Sequence, residues 1–141
     1  MIDGFLGGSS LPALERSLQY MSARQRLLSG NIANIETPGF RPTDVSPAAF
    51  QQALRDALDQ KKVDDQGSLS FDDSAPVSFT PDGTQLKPEI LAENIMFHDG
   101  NDRSMERLMQ KMQENVYSFR VAAQMLRGQF DLINTAIRER M

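Results

Sequence analysis

The sequence of 141 residues lacks cysteine and tryptophan and contains one histidine, His98. The absence of cysteine excludes disulfide bridges, thiolate zinc sites and cysteine nucleophiles, and a single histidine cannot build a histidine-rich metal site. No apolar run approaches the ~18 residues of a membrane-spanning helix. Residues 1–8 lack the basic start and apolar stretch of a secretory signal peptide. We therefore expect a soluble protein that does not use the general export route.

Basic residues are too scattered to form a nucleic-acid-binding surface. The net charge is −4, and residues 46–102 hold four basic and eleven acidic side chains. Residues 103–141 hold seven basic and four acidic side chains, which alternate along the segment. A nucleic-acid-binding protein presents a continuous basic face instead. We expect no nucleic-acid partner.

The first long segment predicts a helix from Leu11 to Asn34. Ser10 can cap its start, and Pro12 stands in the first turn, where a missing amide costs little. Its apolar residues follow the 3,4 spacing of a coiled-coil seam, which Gln25 interrupts with a polar side chain of the kind that sets register. The seam residues are Leu11, Leu14, Leu18, Met21, Leu28, Ile32 and Ile35. Two interpretations remain open here, a coiled-coil seam for a partner and a helix packed on its own core.

A turn should follow this helix at Thr37-Pro38-Gly39-Phe40. Proline disfavours helical backbone in the residue before it. Gly39 can adopt the positive φ that the third position of a type II turn requires. We therefore predict that the chain changes direction there.

The middle of the chain, residues 46–102, is acidic and holds many of the prolines. Ser46-Pro47 followed by apolar residues up to Leu58 predicts a short capped helix. Residues 64–75 read as a loop. Alternation in residues 76–80, followed by the turn signal Pro81-Asp82-Gly83, predicts a small β-hairpin.

The last segment predicts a helix over residues 103–140, roughly 57 Å long. Its apolar residues keep a 4,3 alternation through Met105, Met109, Met112, Val116, Phe119, Ala123, Leu126, Phe130, Ile133 and Ile137. The N-terminal helix, at roughly 36 Å, is too short to cover this seam. We therefore expect part of the seam to pack against other molecules.

No group of side chains indicates catalysis. Asp99, Asn101 and Asp102 are calcium-ligand types, but they lack the twelve-residue loop and terminal glutamate of a calcium-binding loop. A turn followed by a helix cap explains them better. We expect no enzymatic activity, no metal and no cofactor.

A family resemblance lies in residues 29–40, which read Ser-Gly-Asn-Ile-Ala-Asn-Ile-Glu-Thr-Pro-Gly-Phe. This stretch resembles the signature of flagellar axial proteins, in which an asparagine-rich helix end runs into a Thr-Pro-Gly-aromatic turn. The turn at Asp99-Gly100-Asn101 and the ending of residues 132–138 are similar to the small proximal-rod members of the family. The resemblance covers residues 10–45 and 98–140 and does not extend to residues 46–97.

The resemblance implies an all-α dominated fold. Residues 1–45 would hold the long N-terminal helix and the Thr-Pro-Gly-Phe turn, and residues 103–141 the long C-terminal helix. The two helices would pair as a coiled coil, and residues 46–102, with the short helix and the small hairpin, would form an irregular middle of the same rod-type domain. It also implies a structural subunit of the periplasmic flagellar rod, exported by the type III apparatus without a cleaved signal peptide. An alternative from another class is a soluble coiled-coil adaptor or export chaperone of a type III secretion system.

The resemblance further implies partners and an interface. The partners would be other copies of the chain, neighbouring rod proteins, the ring/rod adaptor FliE and the flagellar export apparatus, with no membrane insertion. Together with the two seams, it predicts an interface at Leu14, Leu18, Met21, Leu28, Asn31, Ile32, Asn34, Thr37, Pro38, Gly39, Phe40, Met112, Val116, Phe119, Ala123, Leu126, Phe130, Ile133 and Ile137.

Overall fold

The computed structural model describes residues 10–64, 69–80, 83–91 and 102–138. In these ranges three helices and four short strands follow in the order α1 (Ser10–Asn34), β1 (Thr43–Asp44), α2 (Pro47–Asp64), β2 (Val77–Thr80), β3 (Gly83–Leu86), β4 (Glu89–Ile90) and α3 (Asp102–Arg138). Helix dominates, with two long terminal helices and a small hairpin between them. The predicted fold class is confirmed.

The terminal helices α1 and α3 pack against each other in antiparallel directions. Asn115 of α3 lies beside Met21 and Gln25, whereas Met112, earlier in α3, lies beside Ser29, later in α1. Helix α1 has 25 residues and α3 has 37, which correspond to about 37 and 55 Å. Helix α3 is therefore longer than α1, as predicted. None of the described helices has the length and apolarity that a membrane span requires.

Helix α2 begins at the predicted Ser46-Pro47 signal. The Ser46 hydroxyl accepts a hydrogen bond from the Ala49 amide at 3.4 Å, and Pro47 occupies the first helical position, where its missing N–H is not needed. The helix continues past the predicted apolar stretch to Asp64. The residues between Leu58 and Asp64 include good helix formers, which explains the extension.

The predicted hairpin is present. Strand β2 pairs with β3 in antiparallel register, from Val77 opposite Leu86 to Thr80 opposite Gly83. The turn residues Pro81 and Asp82 lie outside the described residues. A second pair of very short strands, β1 and β4, was not predicted from the sequence; it joins the chain after α1 to the end of the middle segment.

The hydrophobic core lies between α1 and the middle segment. Its buried members are Tyr20, Val45, Phe50 and Val77. The rings of Tyr20 and Phe50 stack with centroids 4.0 Å apart and planes 6° apart. No side chain of α3 belongs to this cluster of described residues. Helix α1 therefore has two apolar sides, one packed on the core and one packed on α3 of the same chain; a contact of its seam with another molecule stays a prediction.

Candidate assembly interface

The turn after α1 has the predicted geometry. The Phe40 amide donates to the Thr37 carbonyl at 3.1 Å, and the Thr37 amide donates to the Asn34 carbonyl at 2.9 Å. Gly39 has φ of 79°, as the third position of a type II turn requires. A side chain with a Cβ would be strained there. The chain therefore leaves α1 through a fixed bend.

Asn31 holds this bend from the inside. Its side-chain amide donates to the Thr43 carbonyl, and its side-chain oxygen accepts from the Thr43 amide at 3.3 Å. Asn31 is buried, so it fixes the returning chain and does not present a free surface. Asn34, Thr37, Pro38 and Gly39 are exposed, and Phe40 is half-buried. A contact between these residues and another subunit stays a prediction.

A buried ion pair fixes the first residues after the bend. The Arg24 guanidinium donates to both carboxylate oxygens of Asp44, at 2.8 and 2.6 Å. Burial disfavours the charge on Arg24, but the hydrogen bonds and the attraction to Asp44 outweigh this effect and raise the pKa of Arg24. The ammonium of Lys111 on α3 lies 3.6 Å from the same carboxylate. Asp44 therefore connects α1, β1 and α3.

Tyr20 belongs to the core and also lies next to this ion pair. Its hydroxyl donates to the Val45 carbonyl at 2.8 Å. Burial is the main cause that raises the pKa of Tyr20 to about 12; nearby Arg24 lowers it and Asp44 raises it further. The neutral phenol is therefore the form that fits the folded protein. Neither Tyr20 nor the Arg24–Asp44 pair was identified from the sequence, although Tyr20 and Arg24 stand four residues apart on one face of α1.

The residues of α3 that pack on α1 are only partly those of the predicted seam: every second predicted residue is replaced by its neighbour in the sequence. Leu108, Asn115 and Ala122 are buried, whereas Met109 is exposed and Val116 and Ala123 are half-buried. The half-buried Met112 and Leu126 belong to both patterns, whereas Phe119, midway between them, is exposed. At the remaining seam positions, the buried residue is the one that precedes the predicted residue in the sequence. Helix α3 is therefore rotated about its axis by part of a turn relative to the predicted orientation.

A polar contact sets the register of the two helices. The Asn115 side-chain amide donates to the Met21 carbonyl at 2.9 Å and to the Gln25 side-chain oxygen at 2.8 Å. In a shifted register the buried Asn115 amide would lose both acceptors, at a cost of about 1–3 kcal/mol. The predicted role of Gln25 as a register residue therefore has a structural basis. Its partner Asn115 was missed, because the predicted seam ran through Val116.

Helix α3 leaves large apolar side chains exposed in two rows. The flank row lies beside and beyond the α1 contact, with exposed fractions of 39 to 54%, and consists of Met109, Phe119, Phe130 and Ile137. The outer row, with exposed fractions of 52 to 63%, consists of Tyr117, Val121, Met125 and Leu132. The flank row follows the predicted seam. The outer row was missed, although its 4,4 start at Tyr117, Val121 and Met125 is visible in the sequence.

The other residues that the sequence singled out lie outside the bend and the two exposed rows. His98, Asp99 and Asn101 are outside the described residues. In the described N-terminal seam, Leu28 is fully buried, while Leu14, Leu18, Met21 and Ile32 are half-buried. The half-buried Leu126 and Ile133 lie on α3. An exposed apolar surface of this kind marks a site of interaction with another molecule.

Comparison with known proteins shows what the chain is similar to. No protein-family model matches the chain, but its sequence is similar to bacterial flagellar basal body rod proteins over most of its length. The similar proteins are named FlgB. Identity is 28% over 123 residues to FlgB of Yersinia enterocolitica and 29% over 119 residues to FlgB of Yersinia ruckeri, in each case over 82% of this chain and 83% of the relative.

A third relative comes from a distant bacterium. Identity to FlgB of Bacillus subtilis (strain 168) is 22% over 136 residues, which cover 94% of this chain and 95% of the relative. The aligned part therefore includes the bend and most of both terminal helices. The resemblance to flagellar rod proteins that the motif at residues 29–40 predicted is confirmed.

Proposed function

We propose that this chain is a structural subunit of the bacterial flagellar basal-body rod, most like FlgB, which polymerises through its terminal helices. The observation that carries the proposal is the exposed apolar surface of α3. Eight large apolar side chains in the flank and outer rows are each about half exposed. Monomeric proteins rarely expose so much apolar surface on one element.

The exposed apolar area of the two rows together equals that of one ordinary interface, divided between two sides of α3. At roughly 100 Å² of exposed surface for each side chain, the two rows offer on the order of 800 Å². A stable protein interface buries about 800 Å² on each partner. At about 25 cal/mol per Å², this area corresponds to ~20 kcal/mol of gross stabilisation, most of which offsets the loss of freedom on association.

The packing of α3 suggests how neighbours would be reached. The described core between α1 and the middle segment contains no side chain of α3, and the contacts Asp44–Lys111 and Asn115–Gln25 fix the register of α3 along α1. Helix α3 thus carries both rows along a surface that the described part of the chain leaves uncovered. In this proposal its partners are other copies of the chain, neighbouring rod proteins, the adaptor FliE and the export apparatus, and the chain has no catalytic role.

Deletion of the gene tests the proposal. Basal bodies isolated from the deletion strain should contain the membrane ring and export gate but no rod, and the unmodified gene should restore the rod. Intact rods in the deletion strain would contradict the proposal.

Sedimentation velocity of the purified chain tests the alternative class. A rod subunit should form larger species as its concentration rises. An adaptor or chaperone should remain a closed dimer at all concentrations, and that result would also count against polymerisation through the helices.

A further inference from the structure

Helix α3 carries three polar residues, Lys111, Glu114 and Asn115, at or beside the face that meets α1. We infer that these three residues act as one set that selects the observed register of α3 on α1 against a competing register, in which α3 packs one heptad away. The apolar residues of the helix pair supply buried area but leave this choice open. The register is therefore specified by two charges and one amide.

The apolar residues of α3 repeat at an interval of seven positions. The repeat comprises Met105, Met112, Phe119, Leu126 and Ile133. Because all five are large and apolar, a slip of seven residues, about 10 Å along the axis, replaces one by another. Helix α3 is longer than α1 by roughly 18 Å and continues past the start of α1. A slip toward the end of α3 therefore keeps α1 in contact with α3 over its whole length.

The polar contacts of α3 do not repeat in this way. The ammonium of Lys111 lies 3.6 Å from the carboxylate of Asp44. One turn later, the Asn115 amide donates to a backbone carbonyl of α1 at 2.9 Å and to the side-chain oxygen of Gln25 at 2.8 Å. The spacing Lys-x-x-Glu-Asn occurs once in the sequence, at residues 111–115. These contacts can therefore form in one register only.

Glu114 completes the charge pattern around the buried ion pair. Burial lowers the pKa of Arg24, the hydrogen bond and the charge of Asp44 raise it, and nearby Tyr20 and Glu114 add to the rise. Helix α3 thus brings a positive group to Asp44 and a negative group to the side of Arg24. Charges of opposite sign are adjacent throughout this group, which favours the observed register.

A slip toward the end of α3 breaks the match. Ala122 would take the place of Asn115, and Asn115 would take the place of Leu108, which is 1% exposed. Its amide would then be buried without the two acceptors that it has now. Ser118, which carries no charge, would take the place of Lys111. The apolar repeat permits this slip, and the polar residues oppose it.

The opposite slip brings like charges together. Arg107 would take the place of Glu114, so that its guanidinium would approach that of Arg24. Leu108 would take the place of Asn115 and could not donate to the acceptors on α1. The observed register is thus the one of the three that combines opposite charges with a satisfied amide.

The register decides where α3 presents its exposed surface. A slip of one heptad would move the flank row and the outer row by about 10 Å relative to the bend. A neighbour that contacts both the bend and these rows would then no longer fit. This consequence rests on the proposed function, whereas the register itself is measured on the purified chain. Either statement can therefore fail without the other.

Cysteine cross-linking of the purified full-length chain measures the register, since the chain has no native cysteine. Ser29→Cys with Met112→Cys reports the observed register, because these two side chains are in contact at 4.0 Å. Ser29→Cys with Phe119→Cys reports a slip of one heptad. A thiol cross-linker with a one-carbon spacer is too short to span a heptad. At low protein concentration, we expect the first pair to react within the chain at least about ten times faster than the second.

Three substitutions remove the polar set: Lys111→Gln, Glu114→Gln and Asn115→Leu. In this variant we expect the slipped product to increase and the ratio of the two products to fall at least about tenfold. An unchanged ratio would overturn the inference. Loss of both products would also overturn it, because the three residues would then hold α3 on α1 without choosing its register.

The matched control carries the same three changes at exposed positions of α3, as Arg127→Gln, Asp131→Gln and Asn134→Leu. It should keep the ratio of the unmodified chain. Lys111→Arg with Glu114→Asp retains the charge pattern and should keep the ratio as well. A tenfold fall in either of these variants would show that the register responds to any change in α3, and the inference would be overturned.

Discussion

The carboxylate of Asp44 accepts two hydrogen bonds from the guanidinium of Arg24, at 2.8 and 2.6 Å, and both side chains are 6% exposed. The same carboxylate accepts a hydrogen bond from the Val45 amide at 2.8 Å. It also lies 3.6 Å from the ammonium of Lys111. This single carboxylate therefore joins the N-terminal helix, the strand after the bend and the C-terminal helix.

Asp44→Asn should lower the free energy of unfolding by about 3 kcal/mol, because the guanidinium of Arg24 would stay buried without an opposite charge. Urea denaturation followed by circular dichroism measures this change. Asp56→Asn is the matched control, since Asp56 is exposed and makes only a surface hydrogen bond to Gln52. The control should change the free energy by no more than about 0.5 kcal/mol. Equal effects of the two variants would show that the ion pair contributes little.

The free energy of unfolding should fall as the pH rises from about 10 to about 12, because the pKa of Tyr20 is raised to about 12 in the folded protein. A group with a raised pKa stabilises the fold fully below its unfolded pKa, near 10, and loses that contribution as the pH passes its folded pKa. The loss is on the order of 2 kcal/mol.

Tyr20→Phe isolates this effect, because it removes the phenol and leaves other alkaline groups unchanged. We expect a lower stability at pH 8, from the lost hydrogen bond to Val45, and a shallower decline above pH 10. Denaturation curves at several pH values give both quantities. An identical alkaline decline in the two proteins would exclude Tyr20 as its cause.

Gly39→Ala should destabilise the protein by about 1 kcal/mol, because φ at Gly39 is 79° and a Cβ is strained in that region. Gly30→Ala should act in the opposite direction and stabilise it by roughly 0.5–1 kcal/mol. Gly30 lies inside α1, where a Cβ would meet nothing within 4 Å. Thermal unfolding of the two variants measures both signs. Stabilisation by Gly39→Ala would mean that the bend is not held in this conformation.

Phe130→Asp should block rod assembly, whereas Arg127→Asp should not. Phe130 belongs to the flank row and is 49% exposed, so a carboxylate there would lose its water in an interface at a cost of several kcal/mol. Arg127 is exposed between the two rows, where a charge reversal stays solvated and costs within about 1 kcal/mol. Swimming on soft agar, with rods counted in isolated basal bodies, measures the result.

Both variants should be expressed and exported normally, since neither position is buried in the single chain. Normal swimming of both would mean that the flank row is not an interface. Failure of both, with normal expression and export, would mean that α3 is packed on every side.

The local structure of this protein could be predicted from its sequence. The two long helices follow from apolar spacing uninterrupted by proline, and α2 follows from Ser46-Pro47 and the apolar residues after it. The bend follows from Pro38 and Gly39, and the hairpin follows from alternation next to a turn signal. Each of these depends on residues within a few positions of one another, where backbone preferences and side-chain spacing decide the conformation.

The packing of these elements was decided only by the tertiary structure. The apolar residues of α3 form overlapping patterns, and spacing alone could not show that Asn115 packs inward while Phe130 and Met125 stay exposed. Arg24 and Asp44 are twenty positions apart, and neither residue type predicts a partner at that distance. Which face of a helix packs inward depends on how much apolar surface that face buries and on whether its buried polar groups find hydrogen-bond partners. Both the buried area and the partners are set by contacts between segments far apart in the chain. The sequence by itself therefore determined the elements and the family resemblance, and the fold determined which faces remain for other subunits.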